Sequence, residues 1–310
     1  MIVADGHPMS STPGLSTDGS ARPTPDSAIL YVAHQWMPSI AQRFARLRKE
    51  VAGRADCFLL LQDDKGQVTQ AWTAFLQAIN APEALMPFSP DVVLDQLGYG
   101  CFNRANVMLG CTHFPLLCFG RSSLYRFYWM IESDVEYRGH WGSFFDATCK
   151  STASLLATHV QSHEESPHWH WWASLFPPPQ ADSAHGWPRS RLRKAFLPIY
   201  RLSADAIRVI DEAHREGWRG HFEVLIPTVL NLHERAILDL RAVCACYLGG
   251  SQEPSPDLRQ LASMRWRPVV SLEEFVWRGS EPVLFHPVKQ DWWFDGIKVI
   301  RYARKGSRPA

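Results

Sequence analysis

Tyr128-Trp129-Met130-Ile131-Glu132-Ser133-Asp134-Val135-Glu136 is the stretch that most strongly indicates the fold, because an aromatic and aliphatic run ends in three acids spaced two apart. In a strand, side chains at i, i+2 and i+4 share one face, so we expect the three carboxylates to project together from the carboxyl end. Open α/β sheets bind their ligands at that end. Three clustered carboxylates repel one another unless a positive charge neutralises them. The pattern therefore predicts a divalent cation with oxygen ligands. The alternative is a solvated strand end whose acids face water or an arginine such as Arg138.

Composition excludes several classes of protein. The chain has 310 residues, of which 46% are hydrophobic and 20% charged, as in an ordinary soluble globular protein. A net charge of +1 gives no reason to expect a nucleic-acid partner. The seven cysteines include no Cys-x-x-Cys spacing, which predicts free thiols in a reducing compartment. The N-terminus lacks signal-peptide features, and no apolar run reaches the roughly 18 residues that span a bilayer. We expect a cytoplasmic protein without a transmembrane segment, for which peripheral contact with a membrane stays open.

The order of apolar runs predicts an α/β architecture. Residues 28–34 and 56–62 read as strands, and helical spacing follows Pro38 between them. The acidic stretch belongs to a third strand over 125–136. Residues 193–202 read as a further strand, at an edge or interrupted, because Pro198 cannot donate a ladder hydrogen bond. We predict a disordered tail over 1–26, a single domain over 27–302 and a basic, frayed tail over 303–310.

The acidic stretch resembles the metal-binding motif of GT-A-type glycosyltransferases, in which a hydrophobic strand ends in Asp-x-Asp followed by an aliphatic residue. Glu132 replaces the first Asp, Asp134 matches the last, and Val135 matches the aliphatic residue. The chain also resembles uncharacterised bacterial glycosyltransferase-like proteins. The resemblance implies a GT-A-like (Rossmann-like), mostly parallel central sheet flanked by helices. It also implies that Glu132 and Asp134 bind both a divalent metal, Mn²⁺ or Mg²⁺, and a nucleotide sugar.

Other positions follow the order of that family over residues 28–289. The loop after the first strand, with His34, would contact the nucleotide, and Asp63 or Asp64 would bind the base. Their alternative role is a simple Asp-Asp-Lys-Gly turn. His286 would complete the cation's ligands, and Lys289 would meet the diphosphate. A histidine in such a place can equally be a hydrogen-bonded structural residue.

Glu223 is the candidate catalytic base, because GT-A enzymes that invert the anomeric centre place an acid at the start of a similar helix. An inverting transfer needs a carboxylate to take the proton of the acceptor hydroxyl. The alternative is that Glu223 caps the helix and favours its dipole. His221 is a further candidate polar contact.

A segment rich in histidine and tryptophan needs its own interpretation. Its tryptophans could stack on an acceptor sugar or pack in the core; they are Trp169, Trp171, Trp172 and Trp187. His159 and His163, with Glu164, could instead bind zinc, although no His-Glu-x-x-His is present.

These observations predict a metal-dependent glycosyltransferase, inverting at the anomeric centre. It would move a sugar from a nucleotide-sugar donor to a saccharide or glycolipid acceptor, in the synthesis of a surface polysaccharide or glycoconjugate. The alternatives are a zinc-dependent hydrolase built on His159 and His163, and an inactive module that only binds nucleotide sugars.

Overall fold

A computed structural model describes residues 25–66, 68–178, 188–249, 261–289 and 291–301. Of the tails expected from the sequence, the basic one lies outside these residues, as does the N-terminal one apart from positions 25 and 26. The helices are α1 Pro38–Glu50, α2 Thr69–Ala78, α3 Pro90–Leu97, α4 Phe114–Ser122, α5 Trp141–Thr148, α6 Ala204–Glu216, α7 Phe222–Leu232 and α8 Leu272–Trp277. The strands are β1 Ser27–Ala33, β2 Asp56–Gln62, β3 Leu85–Phe88, β4 Phe127–Glu132, β5 Glu136–Arg138, β6 Leu155–Ser162, β7 Arg193–Ser203, β8 Ile237–Asp239, β9 Val283–Phe285, β10 Trp292–Phe294 and β11 Val299–Arg301.

Seven strands form a central sheet in the order β3-β2-β1-β4-β7-β6-β8. The first four run parallel to one another, and β6 runs parallel to β8, whereas β7 is antiparallel to both of its neighbours. Two small antiparallel pairs, β5-β9 and β10-β11, lie outside it. The predicted α/β class, with a mostly parallel central sheet flanked by helices, is confirmed.

Both faces of the sheet are buried, which explains the continuous apolar runs of its strands. Along β4, Met130 belongs to the core on one face, with α4, α6 and α7, while Trp129 and Ile131 belong to the core on the other face, with α1 and α5. All seven cysteines are free thiols, as the sequence predicts. No helix of the described segments is long and apolar enough to cross a membrane.

The strand expected over 125–136 is interrupted, which corrects the prediction that its three acids share one face. β4 ends at Glu132, and a turn follows in which the Val135 amide donates to the Glu132 carbonyl at 3.0 Å. β5 then begins at Glu136 and pairs with β9 instead of continuing the central sheet. Glu136 is only 1% exposed, and it does not belong to the group of possible metal ligands that contains the other two acids.

β7 is an interior strand, so of the two alternatives predicted at Pro198 the edge strand is wrong and the interrupted strand is confirmed. Its pairing with β6 changes register between Phe196 and Arg201, and its pairing with β4 ends at Ile199. Pro198 lies in this gap, where its missing N–H removes no ladder hydrogen bond. Leu197 and Pro198, in this part of β7, line the cavities described below.

Candidate functional site

Three side chains from two distant parts of the sequence meet at the carboxyl end of β4. Glu132 ends that strand, Asp134 lies in the following turn, and His286 follows β9. The His286 Nε2 atom lies 3.5 Å from Glu132 Oε2 and 3.3 Å from Asp134 Oδ1. Within the described segments these residues form the only group of three or more acids, histidines or cysteines suited to a metal ion, with ligand atoms all within 4.8 Å of one another.

The orientation of His286 suits a metal ligand. Its Nδ1 lies 2.7 Å from the Arg265 carbonyl oxygen and donates to it, so Nε2 points at the two carboxylates. A histidine fixed in this way through its other nitrogen is the usual arrangement in metal sites. Two carboxylates and an imidazole also match the oxygen and nitrogen ligands that divalent cations use. The three residues therefore fit such an ion.

Asp134 and His286 each stabilise the charged form of the other. Burial alone would raise the pKa of Asp134, but His286 and Lys289 outweigh it and hold that pKa below its usual range. Burial alone would lower the pKa of His286, but Asp134 and Glu132 outweigh it and raise the pKa. At neutral pH Asp134 thus carries a negative charge and His286 a positive one.

A buried ionic network fixes the turn that carries Asp134. The Glu136 carboxylate accepts from Arg43 Nε at 3.0 Å and from Arg46 Nη1 at 3.0 Å. Arg43 Nη1 also donates to the Ser133 carbonyl at 3.3 Å, which Tyr31 Oη contacts at 3.2 Å. Glu136 therefore supports the site from beneath it. The spacing of the three acids grouped it with Glu132 and Asp134, whereas the resemblance to the GT-A motif left it beside the metal ligands, and its burial shows the supporting role.

The turn and the segment after β9 are joined directly. The Val288 amide donates to the Asp134 carbonyl at 2.8 Å. This bond places Lys289 beside the acids, and Lys289 Nζ lies 3.6 Å from Asp134 Oδ2. The predicted diphosphate contact thus lies beside the predicted metal ligands.

Two cavities meet at Glu132, Asp134 and Lys289. The first, of about 450 Å³, lies over β1, β4 and part of β7, and its lining includes His34, Ser39, Gln62, Leu197 and Tyr200. The second, of about 580 Å³, adjoins the first at these three residues, and its lining includes Trp169, Trp171, His221, Glu223, Trp266 and Arg267. His286 faces the second cavity. The candidate metal ligands therefore border two adjoining spaces large enough for small molecules.

Glu223 lies in the second cavity, in the first turn of α7. Its Oε1 accepts from the Leu197 amide of β7 at 3.1 Å, and its side chain is 12% exposed. Burial is the main cause that raises its pKa to about 8, and the charge of Glu132 adds to the effect. The N-cap of α7 is His221, whose Nδ1 accepts from the Glu223 amide at 3.4 Å. The Glu223 carboxylate is therefore bonded to β7 instead of capping its own helix.

Aromatic side chains form one wall of the second cavity. Trp171 stacks on His221 with ring centroids 4.2 Å apart, and the Lys194 ammonium lies 4.8 Å from the centroid of Trp169. Trp172 packs against Trp169 instead of facing the cavity, and Trp187 lies outside the described residues. The sequence did not single out Trp266, although an exposed tryptophan beside Arg267 is a typical sign of a binding surface.

His34 and Asp63 differ in their placement. His34 is exposed and lines the first cavity, where a nucleotide contact was predicted. Asp63 does not line it. Its Oδ2 accepts from the Val68 and Thr69 amides at 2.9 and 2.7 Å and so holds the start of α2. This geometry favours the turn interpretation, and the base contact of Asp63 stays a prediction.

The zinc site proposed around His159 is not formed. His159 lies in β6 and is buried, and its Nε2 lies 2.7 Å from the Met264 carbonyl, to which it donates. Although His163 and Glu164 are also described residues, the three do not come together as metal ligands. β6 ends at Ser162, and in an extended chain residues four apart are separated by about 13 Å, whereas a helical turn would bring them side by side.

Comparisons with known proteins give distant similarities. No family model and no curated protein matches this chain. Among solved structures, the galactosyltransferase LgtC in complex with donor and acceptor sugar analogues is 12% identical, with 68% of this chain and 72% of that chain covered and a TM-score of 0.40. A putative glucose-1-phosphate thymidylyltransferase from Bacillus anthracis in complex with sucrose is 11% identical, with 69% and 85% covered and a TM-score of 0.39. These values are too low to assign the chain to either kind of enzyme.

Proposed function

We propose that this protein is a metal-dependent glycosyltransferase that moves a sugar from a nucleotide sugar to a saccharide or glycolipid acceptor. One observation carries the proposal: Glu132, Asp134 and His286 lie where two cavities meet, and a buried carboxylate, Glu223, lies in the second cavity. A transferase needs this arrangement, because donor and acceptor must meet at a point where negative charge develops on the leaving group.

The first cavity is the proposed donor site. Glu132, Asp134 and His286 would hold Mn²⁺ or Mg²⁺, which supplies positive charge to a diphosphate leaving group. Lys289, beside Asp134, adds a second positive charge on the same side. His34 borders the part of the cavity over β1 and would contact the nucleotide. The base contact proposed for Asp63 would require its carboxylate to leave its bonds to the start of α2.

The second cavity is the proposed acceptor site, and Glu223 its base. The Glu223 carboxylate would take the proton of an acceptor hydroxyl while the acceptor oxygen bonds to the anomeric carbon and the bond to the diphosphate oxygen breaks. This step inverts the anomeric centre. Trp169 and Trp171 offer aromatic faces on which a sugar ring can stack. Such transfers build surface polysaccharides and glycoconjugates, which we propose as the products.

A binding screen tests the donor half of the proposal. Ligands that bind the native state raise its stability, by about 2.7 kcal/mol at a hundred times the dissociation constant. We expect one nucleotide sugar to raise the melting temperature when Mn²⁺ is present and to do so much less without it. Asp134→Ala should abolish this effect. Asp146→Ala is the control, because Asp146 forms an exposed ion pair with Arg54 away from both cavities.

Turnover separates the enzyme from an inactive binding module. With a panel of saccharide acceptors, the donor found in the screen should release its nucleoside diphosphate in proportion to product. Binding without release would favour the inactive module. If no nucleotide sugar stabilises the protein with Mn²⁺ or Mg²⁺, or if Asp134→Ala responds like the wild type, the proposed function is wrong.

A further inference from the structure

Two buried hydroxyl groups on the first cavity are left without partners. Ser39 and Tyr200 are each 1% exposed, and both line this cavity. Neither Ser39 Oγ nor Tyr200 Oη has a hydrogen-bond partner within the described part of the chain. Most buried side-chain polar atoms are hydrogen-bonded, and leaving one unsatisfied is unfavourable. Two such atoms on one cavity point to a ligand that supplies the missing partners.

The position of Ser39 favours an anionic ligand group. Ser39 lies in the first turn of α1, directly after Pro38, and the Met37 carbonyl already accepts from the Ala41 amide. The amides of Ser39 and Ile40 therefore have no acceptor within the helix. The start of a helix attracts negative charge, because its free amides and its dipole both point toward the ligand. A hydroxyl beside those amides adds a further donor.

The position of Tyr200 favours an uncharged hydroxyl. Tyr200 lies on β7 opposite Met130 of β4, and β4 lies between β7 and β1 in the sheet. The cavity lining includes the apolar side chains Met108, Met130 and Leu197, of which Met130 is the direct cross-strand neighbour of Tyr200. An apolar surface with one phenol hydroxyl suits a sugar ring, which has C–H groups to pack and hydroxyls to bond. It does not suit a phosphate, which needs several donors.

We infer that, in the donor site of the proposed function, Ser39 and the start of α1 bind the diphosphate, whereas Tyr200 bonds to a hydroxyl of the transferred sugar. The order along the sheet supports this assignment. Ser39 precedes Ile40, whose carbonyl lies 3.5 Å from the Tyr31 hydroxyl of β1, while Glu132 and Asp134 lie at the end of β4 and Tyr200 lies on β7. A nucleotide sugar placed across these strands has its diphosphate between its nucleoside and its sugar in the same order.

Two substitutions separate the two contacts. The dissociation constants of UDP, UDP-glucose, UDP-galactose, UDP-N-acetylglucosamine, GDP and GDP-mannose are measured by calorimetry with Mn²⁺. Ser39→Ala should raise the dissociation constants of the nucleoside diphosphate and of the nucleotide sugar alike, by about three- to tenfold for a lost hydrogen bond. Tyr200→Phe should raise the dissociation constant of the nucleotide sugar by a similar factor and leave that of the nucleoside diphosphate unchanged.

Stability without ligand provides the control. Because the Tyr200 hydroxyl has no partner, Tyr200→Phe should not lower the melting temperature of the free protein. Tyr128→Phe is the matched variant on the neighbouring strand, since Tyr128 Oη donates to the Ser123 carbonyl at 2.9 Å. It should lower the melting temperature and leave the dissociation constants unchanged.

The outcomes distinguish this inference from the proposed function. If the wild type binds one of the probes and both variants bind it equally well, the inference is overturned and the proposed function stands. The inference also fails if Tyr200→Phe weakens the nucleoside diphosphate as much as its sugar ester. If no nucleotide sugar of the binding screen binds the wild type with Mn²⁺ or Mg²⁺, both are overturned.

Discussion

Replacing Glu223 with glutamine tests whether a protonated carboxyl is buried in the second cavity. The pKa of Glu223 rises from 4.5 to about 8, mainly because burial disfavours the charged form. Between these two values the unfolded chain has released the proton and the folded chain retains it. Stability must therefore fall as pH rises, since the folded state binds more protons.

The size of this effect follows from the two pKa values. One pKa unit corresponds to about 1.4 kcal/mol, so raising the pH from about 5 to 7 should cost about 2 to 3 kcal/mol of the free energy of unfolding. Glu223→Gln does not titrate, and its amide oxygen can still accept from the Leu197 amide. The variant should therefore be more stable than the wild type at neutral pH, by about 3 to 5 °C in melting temperature for a chain of this size.

The assay is urea unfolding of both proteins at a series of pH values. We expect nearly equal stability near pH 5 and a growing advantage of the glutamine variant toward pH 8. Mn²⁺ should reduce this advantage in stability, because the charge of Glu132 helps to raise the pKa of Glu223 and a bound cation would offset that charge. Equal stability of the two proteins across this range would refute the buried protonated carboxyl. Full transferase activity in the variant would refute Glu223 as the base.

Three further predictions concern the metal ligands, the supporting network and the buried histidines. Asp134→Asn should weaken Mn²⁺ binding by about tenfold or more, measured by calorimetry, since even residues behind metal ligands have effects of that size. Glu136→Gln should lower the free energy of unfolding by about 3 to 5 kcal/mol because it leaves buried arginine charge unpaired, whereas Glu83→Gln, in an exposed pair, should change it by less than about 1 kcal/mol. A Glu136→Gln value near that of the control would contradict the network. Burial lowers the pKa of His159 from 6.5 to about 4, so the neutral imidazole adds to the free energy of unfolding above pH 6.5, and this contribution is lost as pH falls toward 4. Over that range the free energy of unfolding of the wild type should fall by about 3 kcal/mol more than that of His159→Gln. If the free energies of unfolding of the two proteins change equally with pH, the prediction is wrong.

The sequence predicted the framework well because burial leaves a strong local signal. β2 has the predicted bounds, and β1 and the start of α1 at Pro38 agree within a residue. The short strand β3 and the pair β10-β11 were missed, since strands of three or four residues carry little pattern of their own. At Pro198 the sequence left an edge strand and an interrupted strand open, because the register of β7 against its neighbours decides between them and local sequence does not specify it.

The candidate site was predicted in part, for a similar reason. The pairing of Asp134 with His286 followed from a resemblance, and the structure brings the two within 3.3 Å. The spacing alone made Glu136 look like Glu132, and its buried ion pairs with Arg43 and Arg46 depend on α1, which the local sequence does not place. The contacts of Ser39 and Tyr200 could not be predicted, because an unsatisfied hydroxyl is recognisable only once its surroundings are known.

The bond between the Val288 amide and the Asp134 carbonyl makes the candidate site dependent on late folding of the chain. It joins positions more than 150 residues apart, and contacts of such long range form slowly because their loop must close first. The sheet from β1 to β4 can form while the protein is being synthesised, but His286 arrives only with β9. Cation affinity should thus appear last, and local unfolding of the β9 segment would remove it while leaving the central sheet intact. Conversely, a bound cation would hold that segment in place and slow hydrogen exchange at the Leu284 amide, which donates to the Cys246 carbonyl.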